Sequence, residues 1–517
     1  MRQFYQIGAL SMALLLLQVF QSFAQIETGE LPPSWKLKSA LPEPPRVDMP
    51  SFDHEALRQE SMQPGRLKTL RFAKMIGVSI DILKKAESRP FGQGTLYRLA
   101  IGSEDAYSLN LVFKRYHLPP GAKLFVYNRE QDHHKGAFTR ANNKESGVLP
   151  IGPVQGDHLV IEYYEPDDAS HQGELILEKV GHDYLGILDI LGKGTSGFGD
   201  SGECNVDINC PAGADWQDVK HAVVSMIIGG NVLCTGSLIN NTRYNGTPYL
   251  FTANHCLSTQ EQAQETVFSF NYEIADPECD ADGGGTAPNP DAQSMAGSNL
   301  IATPPSGDQL DFTLLDLNDS IPAHYRPFFA GWNLDTANIT QTTSIHHPQG
   351  DVKKITQDFD PPIVFTYPDT LYDPGSHWWV QDWEIGTTEG GSSGGPLFDQ
   401  NRRIIGDLSG GEASCGNSVN DFYAMISRSW DDFGPAAYQL KAWLDPDDTQ
   451  LQTLPKYMPY NTLPSHLKIR RQSDDLRLSW NHPFNKADVV RYVISRNGSD
   501  YDSVSTTDYT DAAVTEN

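Results

Sequence analysis

A chain of 517 residues exceeds what one hydrophobic core can fill, so two or three folding units are expected. A formal net charge of -27, with 39 Lys+Arg against 66 Asp+Glu, argues against a nucleic-acid backbone or an anionic membrane surface as partner, since both require basic patches.

Export is what the first residues indicate. Arg2 supplies a short positive region, residues 7–23 are mostly apolar, and Ser22-Phe23-Ala24 offers a small-residue cleavage site before Gln25. Ser11, Gln18, Gln21 and Ser22 interrupt the run, which is short for a span, so residues 1–24 read as a cleaved signal peptide and the mature protein has no membrane span. From Gln25 to about Pro64, proline and charge dominate without periodicity, which predicts an extended leader with little fold. Apolar runs at 97–101, 109–113, 124–127 and 159–164, broken by turn formers such as Pro119-Pro120-Gly121, then predict a β-rich domain without cysteine.

The glycine-rich stretch 192–202 reads as a flexible, cleavable linker. All six cysteines lie beyond it, and in an exported chain an even number predicts disulfides, although about 15 pairings are open on spacing alone. No CxxC pair occurs, His346 and His347 lack ligand spacing, and no metal or organic cofactor is indicated. Residues 222–228 and 232–239 around Gly229-Gly230-Asn231 predict a hairpin. A helix is predicted from Gly434-Pro435 to Pro446, with Ala436, Leu440, Trp443 and Leu444 on one face. After a linker, strand-like runs at 476–480 and 490–494 with an Asn497-Gly498 turn resemble a fibronectin type III module that stops before its last strands.

Hydrolysing an amide with a hydroxyl requires a base for its proton, an acid to hold the base's tautomer, and N–H donors for the oxyanion. Residues 390–397 (GGSSGGPL) set a serine among glycines, which makes Ser393 the candidate nucleophile and the amides of Gly391 and Ser393 the candidate donors. The stretch also fits the elbow of α/β-hydrolases, but an elbow enzyme needs its acid and histidine after the serine, and only His466 and His482 follow, outside the cysteine domain. At 250–256 (LFTANHC) an apolar strand ends in His255 beside a cysteine, which makes it the candidate general base. Asp311 precedes the apolar run 312–317 and is the candidate orienting acid, with Asp308 and Asp316 as rivals.

Thr-Ala-Asn-His255-Cys256, Asp311-Phe-Thr-Leu-Leu and Gly391-Ser-Ser393-Gly-Gly-Pro, in the order His, Asp, Ser, resemble the trypsin/chymotrypsin superfamily and, within it, the bacterial lysyl endopeptidases. The likeness runs over about 199–446 and includes Cys204-Asn-Val-Asp-Ile-Asn-Cys210, Cys234-Thr-Gly-Ser-Leu-Ile-Asn-Asn, Ile345-His-His-Pro, Ser429-Trp430 and Trp443-Leu-Asp-Pro446. It implies a mostly β protein: a chymotrypsin-like double β-barrel protease domain at 199–452, preceded by a β-rich propeptide at 25–198. A linker at 453–466 and a partial fibronectin type III-like β-sandwich at 467–517 would follow. The implied activity is a secreted serine endopeptidase that cuts protein or peptide substrates after lysine, with arginine second, and is held latent by its own propeptide. The alternative is an inactive protease-fold adhesion or binding protein.

The same resemblance implies the disulfides Cys204–Cys415, Cys210–Cys279 and Cys234–Cys256. It places Asp421, in Asn420-Asp421-Phe-Tyr, at the base of the primary specificity pocket, where a buried carboxylate selects a cation, with Ser409, Gly410 and Gly411 in the substrate groove. Two departures stand out: from the lysyl endopeptidases, in that Ser409 replaces a histidine and no tryptophan matches theirs around 364–368, and from trypsin, in that Ser392 replaces the aspartate that receives its new N-terminal amine, a serine that the lysyl endopeptidase pattern shares. Lys193, just before the matching region, offers a site for self-cleavage.

Overall fold

The computed structural model describes residues 29–37, 41–61, 67–188, 201–279, 292–306, 309–368, 372–459, 465–472, 475–481, 492–496, 499–506 and 508–511. The signal sequence and Lys193 lie outside these residues, as do most of the glycine-rich stretch and the Asn497-Gly498 turn. The described chain is mostly β, and none of its helices is long and apolar enough to cross a membrane.

Residues 46–183 form a six-stranded and a four-stranded sheet around one core. The predicted runs lie in the strands Gly94–Gly102, Ser108–His117, Lys123–Asn128 and His158–Pro166. Leu99 and Ile101 point into that core with Leu159 and Ile161, as the period of two requires.

The leader is more structured than its composition suggests. It contains the strand Arg46–Asp48, which pairs in parallel with Gly94–Gly102, and the helix His54–Ser61. Trp35 packs edge-on against Tyr127 at 5.4 Å, and the Ser34 N–H donates to the buried Glu162 carboxylate (2.9 Å). The outer face of the six-stranded sheet carries Phe125, Tyr127 and Val160, and the leader covers it. An apolar sheet face recruits a neighbouring segment whatever that segment's own propensity.

Beyond residue 201 two larger sheets share one core. In the first, Val223–Ile228 and Val232–Leu238 form the predicted hairpin, and Val232–Leu238 continues through Tyr249–Thr252 and Thr313–Leu317 to Ser298–Ala302. Leu70–Arg71, from before the glycine-rich stretch, also joins this sheet by pairing with Val232–Leu238. The second sheet runs from Val206–Asp207 through Thr342–His346, Pro396–Asp399, Ile404–Gly411 and Val419–Met425 to Ile363–Phe365. Leu250 and Leu314 from one sheet meet Ile345 and Phe398 from the other.

The single helix predicted over 434–446 is instead a 3-10 turn at Ala436–Tyr438 and a short helix at Lys441–Leu444. Gln439 between them is extended, and the Leu440 N–H bonds to the Ser429 carbonyl (3.0 Å) rather than to a helical carbonyl. Leu440 and Leu444 are buried one helical turn apart, the Leu444 N–H bonding to the Leu440 carbonyl (2.9 Å), so the predicted apolar face persists only beyond Gln439. At the C-terminus, Ser465–Gln472, Asp475–Asn481 and Asp508–Asp511 form one small sheet, and Tyr492–Arg496 with Ser499–Val504 a second.

Candidate active site

Pairing of Thr252 with Thr313 brings the ends of two strands together, and the residues just beyond these ends are His255 and Asp311. Asp311 is fully buried. Its Oδ2 accepts from His255 Nδ1 (2.7 Å) and its Oδ1 accepts the His255 backbone N–H (2.9 Å). Burial alone would raise this carboxyl, but His255 and the Ser409 hydroxyl hold it down at about 2, so it stays ionised. On the other side of the ring, His255 Nε2 lies 2.8 Å from Ser393 Oγ. The rival Asp316 lies within the strand Thr313–Leu317, paired with Tyr249, and Asp308 lies outside the described residues.

Ser393 comes from the turn that precedes the strand Pro396–Asp399 of the second sheet. Two glycines make that turn possible. Gly391 has φ +93°, a conformation that strains any other residue, and a Cβ there would lie 2.9 Å from the His347 carbonyl. A Cβ on Gly394 would lie 2.1 Å from Thr252 Oγ1, so only glycine lets the serine turn touch the histidine strand. The Ser393 carbonyl then accepts from the Thr235 N–H (2.8 Å), a direct backbone tie between the two sheets.

The amides of Gly391 and Ser393 converge on one oxygen, the carbonyl of Lys68, at 2.5 and 3.4 Å. That pair of N–H groups beside a serine hydroxyl can stabilise an oxyanion. Asp421 is fully buried, and its Oδ2 accepts from Trp383 Nε1 (2.8 Å) and Thr388 Oγ1 (2.5 Å). Its Oδ1 lies 4.0 Å from Lys68 Nζ. Burial pushes this carboxyl up and Lys68 pulls against it.

Of the groove residues, Gly410 forms a bridge with Leu67 and Gly411 pairs with Asp421. Ser409 is buried, and its hydroxyl serves Asp311 and His377 Nε2 (3.1 Å). His377 packs on Tyr367 and Tyr372, and burial lowers its pKa to about 4, so it is neutral at ordinary pH. Ser392 is also buried, bonded to His346 Nδ1 (2.8 Å) and to the Glu389 N–H (3.1 Å). Glu389 in turn accepts from the Gly202 N–H (3.0 Å) and Asn205 (2.8 Å), which ties the start of this region to the serine turn. At 364–368 no tryptophan is present, but Trp379 from the paired strand packs on Phe365 at 4.9 Å.

Three disulfides close the region: Cys204–Cys415, Cys210–Cys279 and Cys234–Cys256, the pairing that the resemblance implied. The last joins the hairpin strand to the residue after His255. Among the described residues, one acidic group (Asp358, Asp360 and Glu384) brings carboxylate oxygens within 4.8 Å of one another, on chain segments that do not carry the His255–Ser393 pair.

The sequence did not single out Lys68, Tyr372, Trp383, Thr388 or His377. A tyrosine or tryptophan in a loop carries no signal of its own. Lys68, in Leu67-Lys68-Thr69-Leu70, has the one retrievable signal: a lysine within a short apolar, strand-like run.

Residues 198–424 match the family described as lysyl endopeptidase, C-terminal domain. A lysyl endopeptidase from Pseudomonas aeruginosa is 30% identical over 294 residues, 53% of this chain and 60% of that protein. The chain thus spans less than two thirds of the curated relative it matches. A solved Glu endopeptidase in complex with MPD matches over 44% of this chain and 93% of that chain, at 18% identity and a TM-score of 0.27. The family match and the curated relative bear out the resemblance read from the motifs: over residues 198–424 the chain is similar to the lysyl endopeptidases.

Proposed function

We propose that this protein is a secreted serine endopeptidase, made as a latent precursor, that cuts peptide bonds after lysine. The observation that carries the reading is the continuous relay from the buried Asp311 carboxylate through His255 to the Ser393 hydroxyl, at 2.7 and 2.8 Å, beside two convergent amides. In the proposed reaction Ser393 Oγ adds to the substrate carbonyl as its proton passes to His255 Nε2, and Asp311 stabilises the imidazolium. The Gly391 and Ser393 amides hold the developing oxyanion. Protonation of the leaving nitrogen by His255 frees the amine and leaves an acyl ester, which water then hydrolyses by the same relay.

The preference for lysine is supported by the buried Asp421 carboxylate, which faces an ammonium group across 4.0 Å. Trp383 and Thr388 occupy its other oxygen, so the ammonium meets one carboxylate oxygen and backbone carbonyls rather than a flat bidentate acceptor. That geometry suits a compact ammonium better than the planar guanidinium of arginine. In this reading residues 1–24 direct export, 25–198 are the propeptide, 199–452 the protease domain, and 467–517 a fibronectin type III-like module after the 453–466 linker. Three disulfides agree with an oxidising destination.

The test is Ser393→Ala in the processed enzyme, assayed on peptidyl-lysyl amides and with a fluorophosphonate probe. Turnover is expected to fall by several orders of magnitude and labelling to vanish. Retention of either would reject Ser393 as the nucleophile.

A further inference from the structure

The cleft that the proposed mechanism needs for substrate is filled by the chain itself. Residues 67–71 cross it as an extended segment, in contact with both sheets. On one side of Lys68, Leu67 forms an antiparallel bridge with Gly410. On the other, Leu70 and Arg71 pair antiparallel with Leu233 and Val232. Between them the Lys68 carbonyl oxygen takes both amides, Gly391 at 2.5 Å and Ser393 at 3.4 Å. The Lys68 side chain is buried, and its ammonium donates to the carbonyls of Ala413 and, at 3.4 Å, Thr388, with Asp421 Oδ1 at 4.0 Å.

Each contact is one a substrate peptide requires. An extended backbone adds to sheet edges on both sides of the reacting bond, the carbonyl enters the oxyanion site, and the side chain before that bond fills the specificity pocket. A buried lysine is stable only where its ammonium is paired and hydrogen-bonded, so a leader segment resting here by chance would carry a heavy desolvation cost.

We propose that residues 67–71 are a tethered substrate mimic that blocks the active site of the precursor, with Lys68 as the residue recognised by the Asp421 pocket and Lys68–Thr69 as the bond presented to Ser393. The inference rests on the proposed roles of Ser393 and Asp421 and adds the identity of the blocking segment and its point of attack.

The segment inhibits because its leaving group cannot leave. If Ser393 Oγ adds to the Lys68 carbonyl carbon, its proton passes to His255 and then to the Thr69 nitrogen as the C–N bond breaks, which gives a Lys68 ester and a Thr69 amine. The amine stays at the ester carbon, because Leu70–Arg71 remain in the sheet and the Phe72 N–H holds the Asn231 carbonyl (3.0 Å). Phe72 is fully buried in a cluster with Tyr184, Leu185 and Leu233, and Tyr184 OH donates to the Arg71 carbonyl (2.9 Å). Held there, the amine re-forms the amide by the reverse path, at a high effective concentration, in competition with water, whose attack would release the Lys68 carboxylate.

The test uses the full-length precursor, with its intact mass verified, and a peptidyl-lysyl chloromethyl ketone and a fluorophosphonate as probes. Lys68→Glu and Lys68→Ala precursors are expected to label roughly tenfold faster than the unsubstituted precursor or more, at Ser393 by the fluorophosphonate and at His255 by the chloromethyl ketone, since the open fraction of the site sets the apparent affinity. Thermal unfolding checks that each variant is folded; if the charge reversal prevents folding, Lys68→Ala decides. Precursor variants that label as slowly as the unsubstituted precursor, while the processed enzyme labels fast, would overturn the inference and leave the catalytic reading standing. A processed enzyme that does not label would remove both. On prolonged incubation, fragments ending at Lys68 and starting at Thr69, absent in Ser393→Ala, support the assigned bond; fragments cut elsewhere within 67–71 would overturn it.

Discussion

Asp311→Asn separates a role in catalysis from a role in packing, because it keeps the volume of a fully buried side chain. Asp311 Oδ1 accepts the His255 backbone N–H at 2.9 Å and Oδ2 accepts Nδ1–H at 2.7 Å. Asparagine has only one oxygen, and the backbone N–H cannot turn away, so the amide NH2 must face Nδ1. The imidazole is then forced to carry its proton on Nε2, the nitrogen that must receive the proton of Ser393 across 2.8 Å. The nucleophile loses its base while the oxyanion donors and the pocket remain. The expected loss in kcat/KM is about 10⁴-fold, equivalent to about 5 kcal/mol of transition-state stabilisation. It should appear mainly in kcat, measured on peptidyl-lysyl amides with the processed enzyme, and the thermal unfolding temperature should move little. A variant that retained more than about a tenth of the activity would refute the assignment of Asp311 as the orienting acid.

Asp421→Ser should remove the preference for basic residues, read from the peptides released from a denatured protein; continued cleavage after lysine alone would take Asp421 out of the pocket. Glu273, its side chain 12% exposed, pairs with the buried Lys220 (2.6 Å) and Lys353 (3.4 Å), so Glu273→Gln leaves two buried ammonium groups short of charge and should cost about 3 kcal/mol or more in chemical denaturation. Burial alone would raise the Glu273 carboxyl, but the lysines hold it at about 2, below its ordinary 4.5. Its contribution is therefore complete above pH 4.5 and lost as pH falls toward 2, and Glu273→Gln should flatten that limb of the stability profile. Cys204–Cys415 closes a separation of 211 residues, and replacing both cysteines with serine should lower stability by about 5 kcal/mol on chain entropy, as measured by denaturant unfolding.

Much of the architecture was legible because its signals are local. The strands at 94–102, 108–117 and 158–166 announce themselves through apolar runs and turn formers, and the hairpin at 223–238 through Gly229-Gly230-Asn231. The helix over 434–446 was misread because Ala436, Leu440 and Leu444 keep the same spacing in sequence whether or not the chain is extended at Gln439 between them. Ser409 was placed in the groove by analogy, and the partners its hydroxyl takes are Asp311 and His377. No spacing in the sequence encodes that choice, because it depends on which way one strand faces.

The leader shows the same division most sharply. Its prolines and charges read as unstructured, and by local propensity they are, yet Trp35 lies on an apolar sheet face, Arg46–Asp48 pairs along the edge of that sheet, and Leu57 of His54–Ser61 packs on the cluster of Phe72 and Tyr184. The sequence by itself determined which residue types could do the chemistry, and in what order they occur, because glycine, serine, histidine and aspartate each bring a property that no neighbour has to supply. Only the tertiary structure decided that Lys68, more than 300 residues before Ser393, would lie in its cleft, because that contact depends on sheet edges and a buried carboxylate that exist only once distant strands have paired.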